Sequence, residues 1–300
     1  MTLAVFLAVV LSRPVGAAPA LRDHRPEHRV HLVQPLLRRL PAHTQANARA
    51  TGILEVLKSG NRPFMGSAFL VLSPRADGRA LIMTNNHVID DMLLARTRLE
   101  DAAGTYHQSN ARVVLRDPKL DYALLEVSLP AGPWQAVSIA ARTPRDEDVY
   151  TVGYPAPQRI PPRFVEGATR RVFGELVQRW NIASTPAERL TALVDIPRTM
   201  TMGRVVPDSV RGWTSRLLGP PQLQIQLPTG EGASGSPLFS RPDGNVVGLV
   251  FGGYPDKGTP RGLARPMEAI IGHVRKLAPS LTGPDQELVR AFLADTAATH

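Results

Sequence analysis

Gly232-Ala233-Ser234-Gly235-Ser236-Pro237 lies between two apolar runs, 223–227 and 239–251, of a 300-residue chain. Glycine lets a backbone bend where other residues cannot and lets a second molecule approach closely. A serine between Gly232 and Gly235 can therefore present its hydroxyl while nearby main-chain N–H groups aim at a developing negative charge. A Gly-Ser-Gly stretch is equally the sequence of a plain turn, so the hexapeptide alone leaves both readings open.

Outward from this loop the chain reads as many short strands. Residues 52–57 and 66–72 are apolar runs, and the turn Arg75-Ala76-Asp77-Gly78 joins the second of them to 80–84, as an Asp-Gly hairpin does. Further short runs at 112–115, 123–127, 149–153, 171–177, 190–196, 223–227 and 246–251 are predicted as strands, which points to an all-β sandwich or barrel. Met267, Ile270, Ile271, Val274 and Leu277 recur at helical spacing between Pro266 and Pro279 and predict one closing helix. Leu288, Val289, Phe292 and Leu293 predict another in the tail, with a packing role. There is no internal repeat.

Composition bounds the possibilities. A hydrophobic share of 43% against 20% charged residues is that of a globular protein. The chain has no cysteine, which removes disulfides and thiolate zinc sites from consideration. The net charge is +9, carried almost wholly by arginine, since Lys58, Lys119, Lys257 and Lys276 are the only lysines. The scatter of the arginines reads as a solvated basic surface, and no nucleic-acid partner is expected. Residues 1–20 hold an apolar stretch from Leu3 to Leu11, then Gly16, Ala17, Ala18 and Ala20, the pattern of a signal peptide, so a secreted or periplasmic location is expected. That stretch is too short to span a bilayer, and no stable membrane insertion is expected. Residues 21–50, rich in Arg, His and Pro and without sustained periodicity beyond a short apolar run at 32–40, read as a leader or pro-segment.

Two further stretches carry chemistry. Leu81-Ile82-Met83-Thr84-Asn85-Asn86-His87-Val88-Ile89 is a strand that ends in a polar turn with a histidine, and an imidazole titrates near neutral pH, so His87 can take a hydroxyl proton and return it to a leaving group. Asp117-Pro118-Lys119-Leu120-Asp121-Tyr122-Ala123-Leu124-Leu125 opens a strand with an acidic residue, and the Asp121 carboxylate can hold an imidazole tautomer. Alone, each has a plain structural reading. Together, the order His87, Asp121, Ser234 is that of one class of nucleophilic triad.

On these stretches, together with Gly66-Ser67-Ala68-Phe69-Leu70-Val71, Val149-Tyr150-Thr151-Val152-Gly153-Tyr154-Pro155 and Gly248-Leu249-Val250-Phe251-Gly252-Gly253, the chain resembles the trypsin-like serine proteases. Within them it more closely resembles the bacterial branch that includes the glutamyl endopeptidases and the protease domain of the high-temperature-requirement family. The resemblance covers residues 50–278. It implies two six-stranded antiparallel β-barrels with the active site between them: barrel one about 51–140, barrel two about 147–265, a closing helix about 266–278 and a tail at 279–300. It implies Ser234 as nucleophile, His87 as general base then acid, Asp121 as the orienting carboxylate and the N–H groups of Gly232 and Ser234 as an oxyanion hole. Val250, Phe251, Gly252 and Gly253 become the substrate-binding strand. A protein or peptide substrate, a monomer, and no cofactor or metal are the matching expectations.

The chain departs from the family at several positions. Ala233 stands where the animal digestive enzymes carry an aspartate that pairs with a freed N-terminal amine, so that activation switch is not expected. Phe251 stands where many relatives have a serine that supports the catalytic aspartate, and activity is expected to be modest. Pro228 stands where an acidic residue selects Lys or Arg, and Val250 where the glutamyl endopeptidases place a histidine. A hydrophobic or small side chain before the scissile bond is the remaining expectation. The rival reading is a catalytically silent double-barrel binding module. A zinc site at His24, His28 and His31 is broken by Pro26, and an α/β-hydrolase esterase needs the histidine last and a final glycine in place of Ser236.

Overall fold

The Asp-Gly turn closes as its sequence predicts. The Gly78 N–H donates to the Arg75 carbonyl at 2.9 Å and the Arg75 N–H to the Arg79 carbonyl at 3.0 Å, joining strands β3 (Arg62–Leu72) and β4 (Arg79–Thr84). The structure, a computed structural model, describes residues 29–142, 144–156, 160, 162–185, 188, 195–206, 220–255 and 260–298.

With β2 (Thr51–Lys58), β5 (Met92–Glu100), β6 (Tyr106–Asp117) and β7 (Tyr122–Ser128), these strands form a closed antiparallel barrel in the order β2-β3-β4-β7-β6-β5. The second barrel uses β8 (Asp148–Gly153), β9 (Thr199–Val205), β10 (Leu223–Gln226), β11 (Pro237–Ser240), β12 (Val246–Pro255) and β13 (Pro260–Pro266). Its order is β9-β10-β13-β12-β11-β8, and β8 returns to pair with β9. Closure leaves neither barrel a free edge, which suits strands as apolar as 80–83 and 122–125.

Residues 29–50 take part in this architecture. β1 (Val30–Leu32) pairs with β9 beyond the end of β10, with His31 opposite Met200. After a turn of helix, α1 (Val33–Leu36), comes α2 (Ala42–Ala50), which runs straight into β2. Asn47 on α2 is buried, and its amide donates to the Tyr150 hydroxyl at 2.8 Å and to the Gly244 carbonyl at 2.7 Å, both in the second barrel. Val30, Val33 and Ala48 are fully buried.

One turn of helix, α3 (Asn86–Ile89), follows β4. The run 171–177, predicted as a strand, lies instead in α4 (Gly167–Ile182). Among its described side chains Thr169, Phe173 and Leu176 are buried, a spacing of four and three that suits a helix, and the Glu166 carboxylate caps it by accepting from the N–H of Ala168 at 2.8 Å and of Thr169 at 3.1 Å. Of the run 190–196, residues 190–194 lie outside the described residues.

The closing helix α5 (Met267–Leu277) buries Met267, Ile270, Ile271 and Val274 completely, on the stripe its sequence predicts. It packs on β12 and β13, and His273 Nδ1 meets the Tyr122 hydroxyl of the first barrel at 3.0 Å. The tail forms α6 (Gly283–Ala298), whose fully buried Leu288, Val289 and Phe292 pack over β3 and β4. Among the described residues no helix is long and apolar enough to cross a membrane.

Candidate active site

Asp121 sits in the tight β6–β7 turn with φ +53°, in the left-handed region that aspartate tolerates better than most residues. Its carboxylate spans the His87 residue. One oxygen accepts the His87 main-chain N–H at 2.9 Å and the other lies 2.8 Å from Nδ1. The Asn85 amide donates to the Asp121 carbonyl at 2.7 Å, so the two turns are tied through main chain as well as side chain. Val88 and Ile89 are fully buried and pin α3, whereas the His87 side chain is 39% exposed and the Asp121 side chain 15%. The imidazole is accessible and its orienting carboxylate is sheltered.

The serine loop is built from main-chain bonds. Ala233 N–H donates to Gly230 and Ser236 N–H to Ala233, both at 3.0 Å, giving two linked turns. Gly232 and Gly235 have φ of +83° and +87°. A Cβ on Gly235 would lie 1.9 Å from the Ser67 carbonyl oxygen and 2.4 Å from Thr84 Oγ1, so this position needs glycine for both conformation and space. Among the described residues the N–H groups of Gly232 and Ser234 donate no hydrogen bond, while those of Ala233 and Gly235 are both engaged.

Ser67, on β3 of the first barrel, joins the two halves. Its N–H donates to the Ser234 carbonyl at 2.8 Å, its hydroxyl donates to the Gly232 carbonyl at 2.9 Å, and the same hydroxyl accepts the Tyr154 N–H at 3.0 Å. The Thr84 hydroxyl at the root of the histidine turn donates to the Ser67 carbonyl at 2.8 Å. A Cβ on Gly66 would lie 2.7 Å from Val88 Cγ1 and 3.1 Å from the Ser234 carbonyl oxygen, so the histidine turn and the serine loop meet at this glycine. His87 and Asp121 are in direct contact, and Ser234 lies on the adjoining loop with its hydroxyl 3.4 Å from the Phe251 carbonyl.

Val250 is fully buried, and its N–H and carbonyl bond Ser236 and Gly235, so it braces the serine loop from behind. Phe251, Gly252 and Gly253 continue along β12 and are less covered. Sequence reasoning missed two residues here. Ser67 lay inside a quoted motif without a role, and Arg265 was visible only as a charge in the apolar run Leu263-Ala264-Arg265-Pro266-Met267. The Arg265 guanidinium lies 4.3 Å from the Phe251 ring centroid and donates to the Pro220 and Pro221 carbonyls at 3.0 and 3.3 Å. Burial pushes this guanidinium below its ordinary value, and the negative charge of Asp121 acts in the opposite sense.

The trypsin-like peptidase domain model matches residues 66–249, more than half of the chain. No curated protein matches. Among solved structures, the Rv3671c protease of M. tuberculosis in its active form is 22% identical, with a TM-score of 0.54 over 92% of this chain and 96% of that one. The same protease in an inactive form is 22% identical, with a TM-score of 0.50 over 81% and 95%. The HtrA-type protease AlgW with a tripeptide is 20% identical, with a TM-score of 0.50 over 79% of this chain and 64% of that one, so the chain spans less than two thirds of AlgW. At these identities the likeness is one of fold. The match over residues 66–249, together with the paired closed barrels, makes this chain a member of the trypsin-like peptidase family, protein hydrolases of the chymotrypsin fold.

Proposed function

We propose that the chain is a serine endopeptidase that works through an acyl-enzyme. His87 Nε2 takes the Ser234 proton as Oγ attacks the substrate carbonyl carbon, and the carbonyl electrons move to the oxygen. The N–H groups of Gly232 and Ser234 donate to that oxyanion. As the tetrahedral intermediate collapses, the C–N bond breaks and His87 gives its proton to the leaving amine. Water then repeats the sequence on the ester, with His87 as base, and releases the acid and the Ser234 hydroxyl. Asp121 bonded to Nδ1 keeps Nε2 free to accept and stabilises the imidazolium.

The observation that carries this reading is the double contact of Asp121 with His87 beside a serine loop whose Gly232 and Ser234 N–H groups are uncommitted among the described residues. One observation favours a silent binding module instead: the Ser234 hydroxyl is directed to the Phe251 carbonyl. At 3.4 Å that bond is long and weak, and rotation about one side-chain torsion releases it. Resting-state contacts between nucleophile and base are commonly loose.

Fluorophosphonate labelling with mass mapping tests the proposal. Labelling at Ser234, lost in Ser234→Ala together with hydrolysis of an unfolded protein substrate, is the expected result. Absence of labelling in a folded sample favours the silent module. Export is proposed on residues 3–20 alone, and N-terminal sequencing of the protein recovered from cells tests it.

A further inference from the structure

Two opposed glycines begin two residues beyond the carbonyl that the Ser234 hydroxyl touches, and a side chain of this protein fills the space they leave. In the β12–β13 pair Gly253 stands directly opposite Gly262. Two opposed glycines leave a gap on the sheet where two side chains would otherwise stand. Thr229 occupies the gap. A Cβ on Gly253 would come within 1.9 Å of Thr229 Oγ1, and one on Gly262 within 2.9 Å of both Thr229 Cγ2 and Ile225 Cγ1. The Thr229 hydroxyl donates to the Gly252 carbonyl at 3.2 Å, and Ile225 is fully buried.

The segments around this gap also lead to the serine site. Thr229 and Gly230 lead into the serine loop, where the Gly230 carbonyl accepts the Ala233 N–H. The Ser234 hydroxyl touches the Phe251 carbonyl, two residues before Gly253, roughly 7 Å along the strand. That spacing puts the gap about one long side chain's length from the Ser234 hydroxyl, close enough to be reached from the residue whose carbonyl that hydroxyl would attack.

We propose that Thr229 is the specificity-determining residue of the site. By filling the space between Gly253 and Gly262 it restricts the residue on the acyl side of the scissile bond to a small side chain, of the size of alanine, serine or valine. The inference rests on the serine endopeptidase reading above. Leucine, phenylalanine or arginine at that position meets Thr229 and Ile225, whereas a side chain the size of alanine stops short of them. A misfit of one methylene in an apolar pocket changes kcat/KM by about 10-fold to 200-fold.

The test compares the wild type with Thr229→Gly, Thr229→Ala and Thr229→Val on peptides that differ only at the acyl-side residue, with melting curves to establish folding. Wild-type Ser234 is labelled in parallel with a minimal fluorophosphonate. The wild type is expected to favour Ala or Val over Leu and Phe by about 10-fold or more. Thr229→Gly, or the milder Thr229→Ala, shifts that ratio toward Leu and Phe by about 10-fold. Thr229→Val keeps the volume without the hydroxyl and keeps the small-residue preference. A labelled wild type that takes Phe as readily as Ala, or a folded Thr229→Gly and Thr229→Ala pair with the wild-type ranking, overturns the proposal and leaves the serine reading standing. A folded protein without labelling overturns both.

Discussion

The Arg265 guanidinium, on the strand paired with β12, lies over the ring of Phe251, 4.3 Å from its centroid, and Phe251 is the residue whose carbonyl the Ser234 hydroxyl touches. An arginine with 9% exposure is costly to bury unless its contacts are retained, and here they are a ring face and two proline carbonyls. Arg265→Met is expected to lower stability by about 1–3 kcal/mol and kcat/KM by about 10-fold, chiefly in kcat, since the Phe251 segment loses its brace. Arg265→Lys retains charge without the planar stack and is expected to fall between the two. Steady-state kinetics beside a denaturation curve checks this.

Ser67 makes a second prediction. Ser67→Ala keeps the N–H bond to the Ser234 carbonyl and removes the hydroxyl that serves Gly232 and Tyr154. The expected cost is about 1–3 kcal/mol of stability, with a fluorophosphonate labelling rate about 10-fold to 100-fold lower. A labelling rate equal to the wild type would show that the main-chain bond alone fixes the loop.

Acid should loosen the C-terminal helix first. Burial pushes the Glu126 carboxyl up, but the Arg79 bond at 2.9 Å and the contact with Arg112 outweigh it and leave it below its ordinary value. The Arg112 bond at 2.6 Å likewise holds Asp285 on α6 below its ordinary value. Carboxyls lowered on folding add stability that is present above their unfolded values, about 4, and lost as pH falls through their folded values. The Arg112 side chain is 56% exposed, so solvent screening keeps the Asp285 pair near or below about 1 kcal/mol. Hydrogen exchange between pH 5 and pH 3 is expected to show α6 losing protection before β3 and β4, and Glu126→Gln is expected to flatten that dependence.

The segment 30–50 separates two truncations. A chain starting at residue 29 keeps every contact described for this segment and serves as the reference. A chain starting at Thr51 loses the burial of Val30, Val33 and Leu37 and the Asn47 bonds, a loss of about 5 kcal/mol or more. Differential scanning calorimetry of the two chains distinguishes them.

The parts of this structure that were legible in the sequence are those set by local backbone demands. Gly235 can be nothing else, the Asp-Gly turn closes one hairpin, and the 267–277 stripe has a period that only a helix satisfies. The parts that were not legible depend on partners far along the chain. Residues 171–177 read as one more short apolar run until Glu166 is seen to cap a helix that covers Val30. The segment 30–50 has little pattern of its own because what it packs against, Tyr150, Gly244 and β9, lies a hundred or more residues away. Ser67 and Arg265 stand in the sequence as an ordinary small polar residue and a misplaced charge, and only the folded chain supplies what they touch.

Under the proposed mechanism, the bond pattern of Ser67 also makes catalysis report on how the halves are assembled. Ser67 belongs to the first barrel, and the carbonyls it holds belong to the loop of the second. A chain nicked in the connection between β7 and β8 would carry the histidine turn on one fragment and the serine loop on the other, with the latch divided between them. Turnover then depends on fragment concentration in the manner of a two-part reporter, and it vanishes on separation even where each fragment keeps its strands.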